Sequence, residues 1–222
     1  MTAQPTFDLT LDSAFSYTCR ACTRCCYTHR VRVTPFDLLA LARHLGISTT
    51  EVSQRYLDGD GALLRDSQTG GCVFLGQGGC TAHAGRPLAC RLYPLGRRIE
   101  SQGAERFHRL EPHPATEGIY GERGTVRDFL REQGAMEHLQ AADRYLQLFC
   151  KAVATLGSLP DVPSASPETN DAFLDADAMI SRHRPDVEVQ SLDPVSAMTV
   201  HIEVIEALLQ DSNSPAQESS HV

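Results

Sequence analysis

The chain has 222 residues, of which 41% are hydrophobic, so its length suits one domain with an extension or two small domains. It contains no run of about 18 apolar residues, and its first residues lack the basic and apolar segments of a signal peptide. These features argue against a membrane span and against secretion, and we expect a cytoplasmic protein with no membrane partner.

The net charge of −8 is unevenly distributed along the chain. Residues 1–110 contain 13 arginines and 9 acidic residues, whereas residues 111–222 contain 7 basic and 19 acidic residues. A basic half is compatible with nucleic-acid binding, but it also suits a site whose thiolates the formal charge ignores. Four arginines surround the first cysteines: Arg20, Arg24, Arg30 and Arg32. We therefore favour compensation of thiolate charge and expect no nucleic-acid partner.

Seven of the eight cysteines lie in the first 90 residues. They are Cys19, Cys22, Cys25, Cys26, Cys72, Cys80 and Cys90. The cytosol keeps thiols reduced and an odd number pairs poorly in disulfides, so this clustering indicates metal ligation by all seven. Cys150 lies apart in a helical pattern, and we expect it to belong to the apolar core.

The spacing of the first cysteines indicates the kind of centre. Cys19, Cys22 and Cys25 repeat the x2 step of runs that wrap an iron–sulfur cluster, and Cys26 is expected to turn toward a second centre or to bridge. Seven thiolates exceed the four of a zinc site or a cubane, which predicts two centres or one polynuclear centre. In our working interpretation, His83 completes a three-thiolate site; otherwise His83 is a surface histidine. The pattern favours an iron–sulfur cluster or iron, with zinc as the alternative.

Two helices are predicted after the first cysteine group. Thr34 is placed to cap the first, Pro35 suits its first turn, and Asp37 faces the positive end of its dipole. Ser48 and Glu51 have the spacing of a capping box at the start of the second. We expect both helices to bring the two cysteine groups together.

The segment around the later cysteines is predicted to be irregular. Residues 72–76 and 98–100 have the composition of short extended segments and predict a small hairpin near the metal. Arg86 and Arg91 are placed to donate hydrogen bonds to thiolates or carbonyls around Cys90, or else are exposed.

The rest of the chain reads as helices joined by a linker. Residues 124–157 form the longest helical pattern, and Gly134 divides it. Residues 159–170 have linker composition, two further helices are predicted near 171–182 and 194–210, and the tail is expected to be disordered.

The cysteine motifs resemble those of a known family. They read Cys19-Arg-Ala-Cys22-Thr-Arg-Cys25-Cys26, Cys72-Val-Phe-Leu, Cys80-Thr-Ala-His83 and Arg86-Pro87-Leu-Ala-Cys90-Arg91-Leu-Tyr93-Pro94, in that order. Over roughly residues 15–100 the chain resembles the YkgJ-like cysteine-cluster family, described as zinc- or iron-chelating CxxCxxCC proteins. The resemblance implies metal binding without implying one reaction.

Two departures from the family pattern bear on the site. Residues 21–24 lack a glycine that is common in the first cluster. Many relatives also carry a further cysteine before a Gly-Ile-Gly stretch, where this chain has residues 113–121. His113 or Glu117 is the candidate substitute ligand there.

The fold expected from these patterns is small and mainly α (α+β), with irregular metal-binding loops and at most a small β-hairpin. The expected division is a cysteine-cluster domain at 1–115, a helical extension at 116–158, and a linker, two short helices and an acidic tail at 159–222. The leading functional hypothesis is a metal-binding protein with a structural, chelating, redox or sensing role. The alternatives are a metal- or cluster-dependent enzyme, since some flagellin lysine N-methylases carry a similar cluster, and a zinc-stapled module whose acidic C-terminal helices bind a protein partner. No catalytic residue is assigned.

Overall fold

The computed structural model describes residues 5–100, 103–156 and 173–211. Within these ranges the chain forms eight α-helices. They are α1 (Cys25–Thr28), α2 (Pro35–Leu45), α3 (Thr49–Tyr56), α4 (Leu88–Leu92), α5 (Val126–Glu132), α6 (Met136–Leu156), α7 (Ala176–His183) and α8 (Pro194–Asp211). The mainly helical fold that the sequence predicts is confirmed.

The β structure of the described ranges consists of three antiparallel strand pairs. The strands are β1 (Ala14–Thr18), β2 (Leu75–Gly76), β3 (Gly79–Cys80), β4 (Leu95–Ile99), β5 (Glu105–Arg109) and β6 (Ile119–Thr125). The pairs β2–β3 and β4–β5 are hairpins. The segment predicted at 72–76 pairs through β2 with β3, and the one predicted at 98–100 pairs through β4 with β5, so each belongs to a hairpin of its own. The pair β1–β6 joins strands about a hundred residues apart, with Tyr17 opposite Tyr120, so local sequence patterns gave no sign of it.

The helix starts follow the chemistry of the sequence. In α2 the Thr34 side chain accepts from the Asp37 amide, and Asp37 accepts in return from the Thr34 amide. Ser48 and Glu51 form the same capping box at the start of α3. Both predicted caps are therefore confirmed.

The predicted division of the long helical pattern is also confirmed. Helix α5 ends before Gly134, which has φ +63°, and α6 begins at Met136. Of the two later helices that the sequence predicts, α7 begins at Ala176 and α8 at Pro194. The predicted linker and tail lie outside the described residues. No helix in the described ranges is long and apolar enough to cross a membrane.

Three groups of buried hydrophobic residues hold these elements together. The first lies between α2, α6, α7 and α8 and includes Phe36, Ile180 and Ile202. The second lies between α4, α5 and the strands β1, β4 and β5, and includes Phe15 and Phe107. The third packs α2 and α3 against the segment around β2 and β3, where Cys72 and Cys80 are partly buried. Helix α2 contributes to the first and third groups, so the packing of α2 connects the helical extension to the cysteine segments.

The apolar stripe of α8 is covered by the chain itself. Met198, Ile202 and Ile205 are buried in the first group of core residues. Cys150, by contrast, is exposed on α6, so the expectation that it belongs to the core is wrong. The helical period places it on the solvent face beside Phe149, which is 43% exposed.

Candidate metal centre

The first cysteine group lies on a loop that ends in the single turn of α1. Two residues of this loop, Ala21 and Thr23, have positive φ (54° and 61°) although neither is glycine. Such φ values are unfavourable for residues with a Cβ and are kept only where the surroundings enforce them. They turn the chain between successive x2 steps, and the Cys26 amide closes the turn onto the Thr23 carbonyl at 2.9 Å. A glycine would adopt the same turn without strain.

Arg65 fastens this loop to the next segment. Its Nη1 donates to the carbonyls of Tyr27 at 2.9 Å and Gly70 at 2.7 Å, and its Nη2 donates to the His29 carbonyl at 2.7 Å. The Cys26 carbonyl lies 3.5 Å from Nη1 and also accepts from the Cys72 amide at 3.0 Å. One guanidinium thus fixes the backbone of α1 and of the residue after it against the stretch that leads to Cys72.

Five thiols from three segments are linked by their electrostatic effects on one another. They belong to Cys25 and Cys26 on α1, Cys72 before the β2–β3 hairpin, Cys80 on β3 and Cys90 on α4. The negative charges of Cys25, Cys72 and Cys80 each raise the pKa of Cys26, and the same three raise the pKa of Cys90. Thiolates affect one another in this way only when they are near and partly shielded from water.

The individual thiols differ in acidity. The Cys26 thiol donates a hydrogen bond to Cys25, which lowers the pKa of Cys25 to about 7 and raises that of Cys26 well above its usual value. Burial raises the pKa of Cys90 to about 12 and is also the main reason that the pKa of Cys72 is raised. The raised pKa values of Cys26, Cys72 and Cys90 favour their protonated forms in the metal-free protein, and a bound cation would displace these protons.

Cys19 and Cys22 have surroundings of their own. Cys19 is exposed, and its sulfur accepts from the Ala21 amide at 3.4 Å. The backbone amides of Glu117 and Arg24 lower the pKa of Cys22, whose sulfur lies 3.8 Å from Oγ1 of Thr116. The structure thus brings Glu117, a proposed substitute ligand, to Cys22.

The loop before β6 reaches Cys22 because it packs closely on β1. A Cβ at Gly118 would lie 1.7 Å from the Tyr17 hydroxyl, so only glycine fits there. The same hydroxyl lies 3.4 Å from Oγ1 of Thr116.

Helix α4, which carries Cys90, is held from outside by Asp37. Oδ1 of Asp37 accepts from the Leu88 amide at 2.8 Å and lies 2.8 Å from Nδ1 of His138, while Oδ2 accepts from the Thr34 amide at 3.0 Å. Asp37 and His138 are buried, with 1% and 4% of their surface exposed. This carboxylate therefore joins α2, the first turn of α4 and α6 next to Cys90.

The two arginines near Cys90 bind carbonyls, as predicted. Arg91 is buried and donates to the carbonyls of Arg86, Gln133 and Ala84. Arg86 donates to the carbonyls of His83 and Gln133. They brace the turn around Cys90 without contacting a sulfur in any hydrogen bond of the described chain.

His83 lies on the surface beside an arginine. The residue is exposed, and both of its ring nitrogens lie 3.0 Å from Nη1 of Arg86. Partial desolvation of the ring is the main cause of its lowered pKa, and the positive charge of Arg86 is the second cause. Its role as a ligand remains a prediction. His113 uses Nδ1 to accept from the Ala115 amide at 3.0 Å.

Of the four arginines expected to compensate thiolate charge, Arg30 pairs with acidic side chains instead. Arg30 pairs with Asp58 at 2.8 Å and with Asp60 at 2.7 Å, so acidic side chains satisfy its charge. Sequence reasoning missed Arg65, whose charge acts on Cys72 and lowers its pKa against the larger effect of burial. It also missed the contact between Asp37 and His138. No sequence motif marks the contacts of Arg65 or the contact between Asp37 and His138, because the partners are distant in sequence.

The cysteines are gathered without forming a closed site. Within residues 5–100, 103–156 and 173–211, no three His, Cys, Asp or Glu side chains have the arrangement of a ready-made metal site. The donor set nevertheless suits a thiophilic cation, because thiolates bind zinc, iron and copper(I), whereas carboxylates dominate sites for calcium and magnesium.

Comparison with known proteins identifies the class of this domain. Residues 18–112 match the sequence model of the CxxCxxCC family, described as "Putative zinc- or iron-chelating domain". The matched stretch contains all seven clustered cysteines and His83. The resemblance predicted this match over residues 18–112, and the match indicates zinc or iron chelation by this domain. No curated protein and no solved structure matches the chain.

Proposed function

We propose that Cys25, Cys26, Cys72, Cys80 and Cys90 form the main metal centre of this protein and bind iron or zinc. The observation that carries this proposal is the backbone geometry that joins the cysteine segments: the Cys72 amide donates to the Cys26 carbonyl at 3.0 Å, and the β2–β3 hairpin that follows carries Cys80. The raised pKa values of Cys26, Cys72 and Cys90 agree with this arrangement, because their ionised forms would need a compensating cation. Bound metal supplies that positive charge and couples binding to folding.

Cys19 and Cys22 form the second part of the proposal. Five thiols already exceed the four that one tetrahedral ion or one cubane accepts. The backbone amides of Glu117 and Arg24 lower the pKa of Cys22, which favours its thiolate form. We infer that Cys22 and Cys19 extend the centre toward residues 116–117, as part of an iron–sulfur cluster or as ligands of a second ion.

The biological role follows from the metal. A closed zinc–thiolate site is redox-silent and would stabilise the fold or store the ion. An iron–sulfur cluster would support electron transfer, sensing or cluster-dependent catalysis.

The first experiment is elemental analysis together with visible absorption, on protein purified without oxygen. Iron with acid-labile sulfide in matching amount and a brown absorption supports a cluster. Stoichiometric zinc with a featureless spectrum supports a structural or chelating role. Protein that takes up neither metal when reduced and reconstituted would refute the proposed function.

A further inference from the structure

His29 has a buried nitrogen that the rest of the chain leaves unsatisfied. Its Nε2 is inaccessible to water and has no hydrogen-bond partner among the described residues. Leaving such an atom unpaired costs about 1–3 kcal/mol. The residue is nevertheless held firmly, because Arg65 donates to its carbonyl at 2.7 Å.

The position of His29 relates it to Cys25. His29 follows α1 directly, and its amide donates to the Cys25 carbonyl at 3.4 Å, which closes one helical turn. Residues four apart across such a turn lie on one face of the backbone. A cysteine and a histidine separated by three residues match the spacing at which paired ligands reach one ion.

Tyr93 lies beside both residues. Its ring centroid is 5.0 Å from that of His29, and the charge of Cys25 contributes to the raised pKa of Tyr93, after burial and Tyr17. The Tyr93 hydroxyl is also buried and has no hydrogen bond of normal geometry in the described chain, although the His113 amide lies close enough to lower its pKa. The unsatisfied imidazole nitrogen and a pKa-lowered thiol thus share one aromatic neighbour.

We propose that Nε2 of His29 is a further ligand of the metal centre at Cys25, which becomes a mixed sulfur and nitrogen site for zinc or iron. This inference rests on the proposed function. A neutral imidazole is a good ligand for both metals, and coordination would satisfy the nitrogen that folding leaves unpaired. The single turn of α1 and the residue that follows it then contribute both ligands.

His201 provides a matched control inside the same chain. Its Nε2 is also buried and has no partner in the described residues, but its Nδ1 lies 2.9 Å from the Tyr145 hydroxyl. It lies on α8 in the first group of core residues, which contains no cysteine. The two histidines therefore share an unsatisfied nitrogen and differ in their proximity to the thiols.

The test is titration of the full, reduced chain with cobalt(II), whose ligand-field absorption responds to exchange of nitrogen for another donor. His29→Gln is expected to shift these bands and to weaken cobalt affinity by at least about tenfold. His201→Gln is expected to leave the bands and the affinity unchanged. Urea unfolding of both metal-free variants shows whether either change acts through the fold.

The possible outcomes separate this inference from the proposed function. If wild-type protein binds cobalt with thiolate charge-transfer bands and His29→Gln gives the same spectrum and affinity, the assignment of His29 is refuted and the thiolate site stands. Wild-type protein that binds no cobalt would refute both. A loss of affinity in His29→Gln that merely equals its loss of metal-free stability also counts against coordination.

Discussion

Removal of the Asp37 carboxylate tests how the helices hold the cysteine segments. Asp37 accepts hydrogen bonds from the amides of Thr34 and Leu88 and contacts Nδ1 of His138. Asp37→Ala strands these three polar groups at a site where the aspartate is only 1% exposed. We expect a large loss of stability in the metal-free protein, because water does not reach the groups left behind.

The magnitude can be worked from the number of stranded groups. At about 1–3 kcal/mol for each of three, the free energy of unfolding falls by roughly 3–9 kcal/mol. A domain of ordinary stability has only about 5–15 kcal/mol in total. With a urea dependence of about 2 kcal/mol per molar, the midpoint moves down by roughly 1.5–4.5 M.

Asp128 provides the matched control for this substitution. It forms the same capping box with Thr125 at the start of α5, but it is exposed. Asp128→Ala should cost only about 1 kcal/mol, because water replaces the lost hydrogen bonds. Urea unfolding followed by circular dichroism, with metal removed from both variants, measures the difference.

The comparison can refute the reasoning in a direct way. If Asp37→Ala loses no more stability than Asp128→Ala, then the buried carboxylate does not hold α2, α4 and α6 together. A double-mutant cycle with His138→Ala should also show a coupling of at least about 1 kcal/mol, since the two side chains are in contact. Strict additivity would mean that the pair contributes little.

Three further predictions concern the metal itself. Cys90→Ser should lower the metal content and destabilise the domain, whereas Cys150→Ser, at an exposed position, should retain full metal content by elemental analysis. Metal loss in Cys150→Ser alone would contradict the division into seven metal-binding cysteines and one that binds no metal. Arg65→Ala should weaken zinc affinity by roughly tenfold, because four carbonyls lose their common donor. The control Arg55→Ala, at an exposed position, should leave the zinc affinity unchanged in the same competition assay with a chromophoric chelator. Equal affinities of the two variants would exclude an effect of Arg65 on the site. Metal affinity should rise about tenfold or more per pH unit from pH 7 to 9. The reason is that Cys90, with its pKa raised to about 12, is protonated over this range and releases its proton when it binds the metal. An affinity independent of pH in the same chelator assay would show that no protonated thiol is a ligand.

Several features of this protein follow from short stretches of sequence. The capping boxes at Thr34 and Ser48 and the break at Gly134 depend on residues within one or two turns, so they were predictable. The cysteine spacing likewise predicted the family, which residues 18–112 confirm. Cys150 was misassigned because its helix carries apolar residues on more than one face, and Phe149 beside it is exposed too.

The arrangement of the cysteines was decided by tertiary structure. Cys25 and Cys90 are brought near each other because α2 packs on both the helical extension and the cysteine segments, while Asp37 holds α4 in place. The contact between Asp37 and His138 spans 101 residues, and no local pattern encodes it. By itself, the sequence determined which residues have metal-binding chemistry, because ligand type and spacing are local properties. Which thiols share a neighbourhood, and which histidine retains an unsatisfied nitrogen, depends on burial, and burial exists only once distant segments have packed.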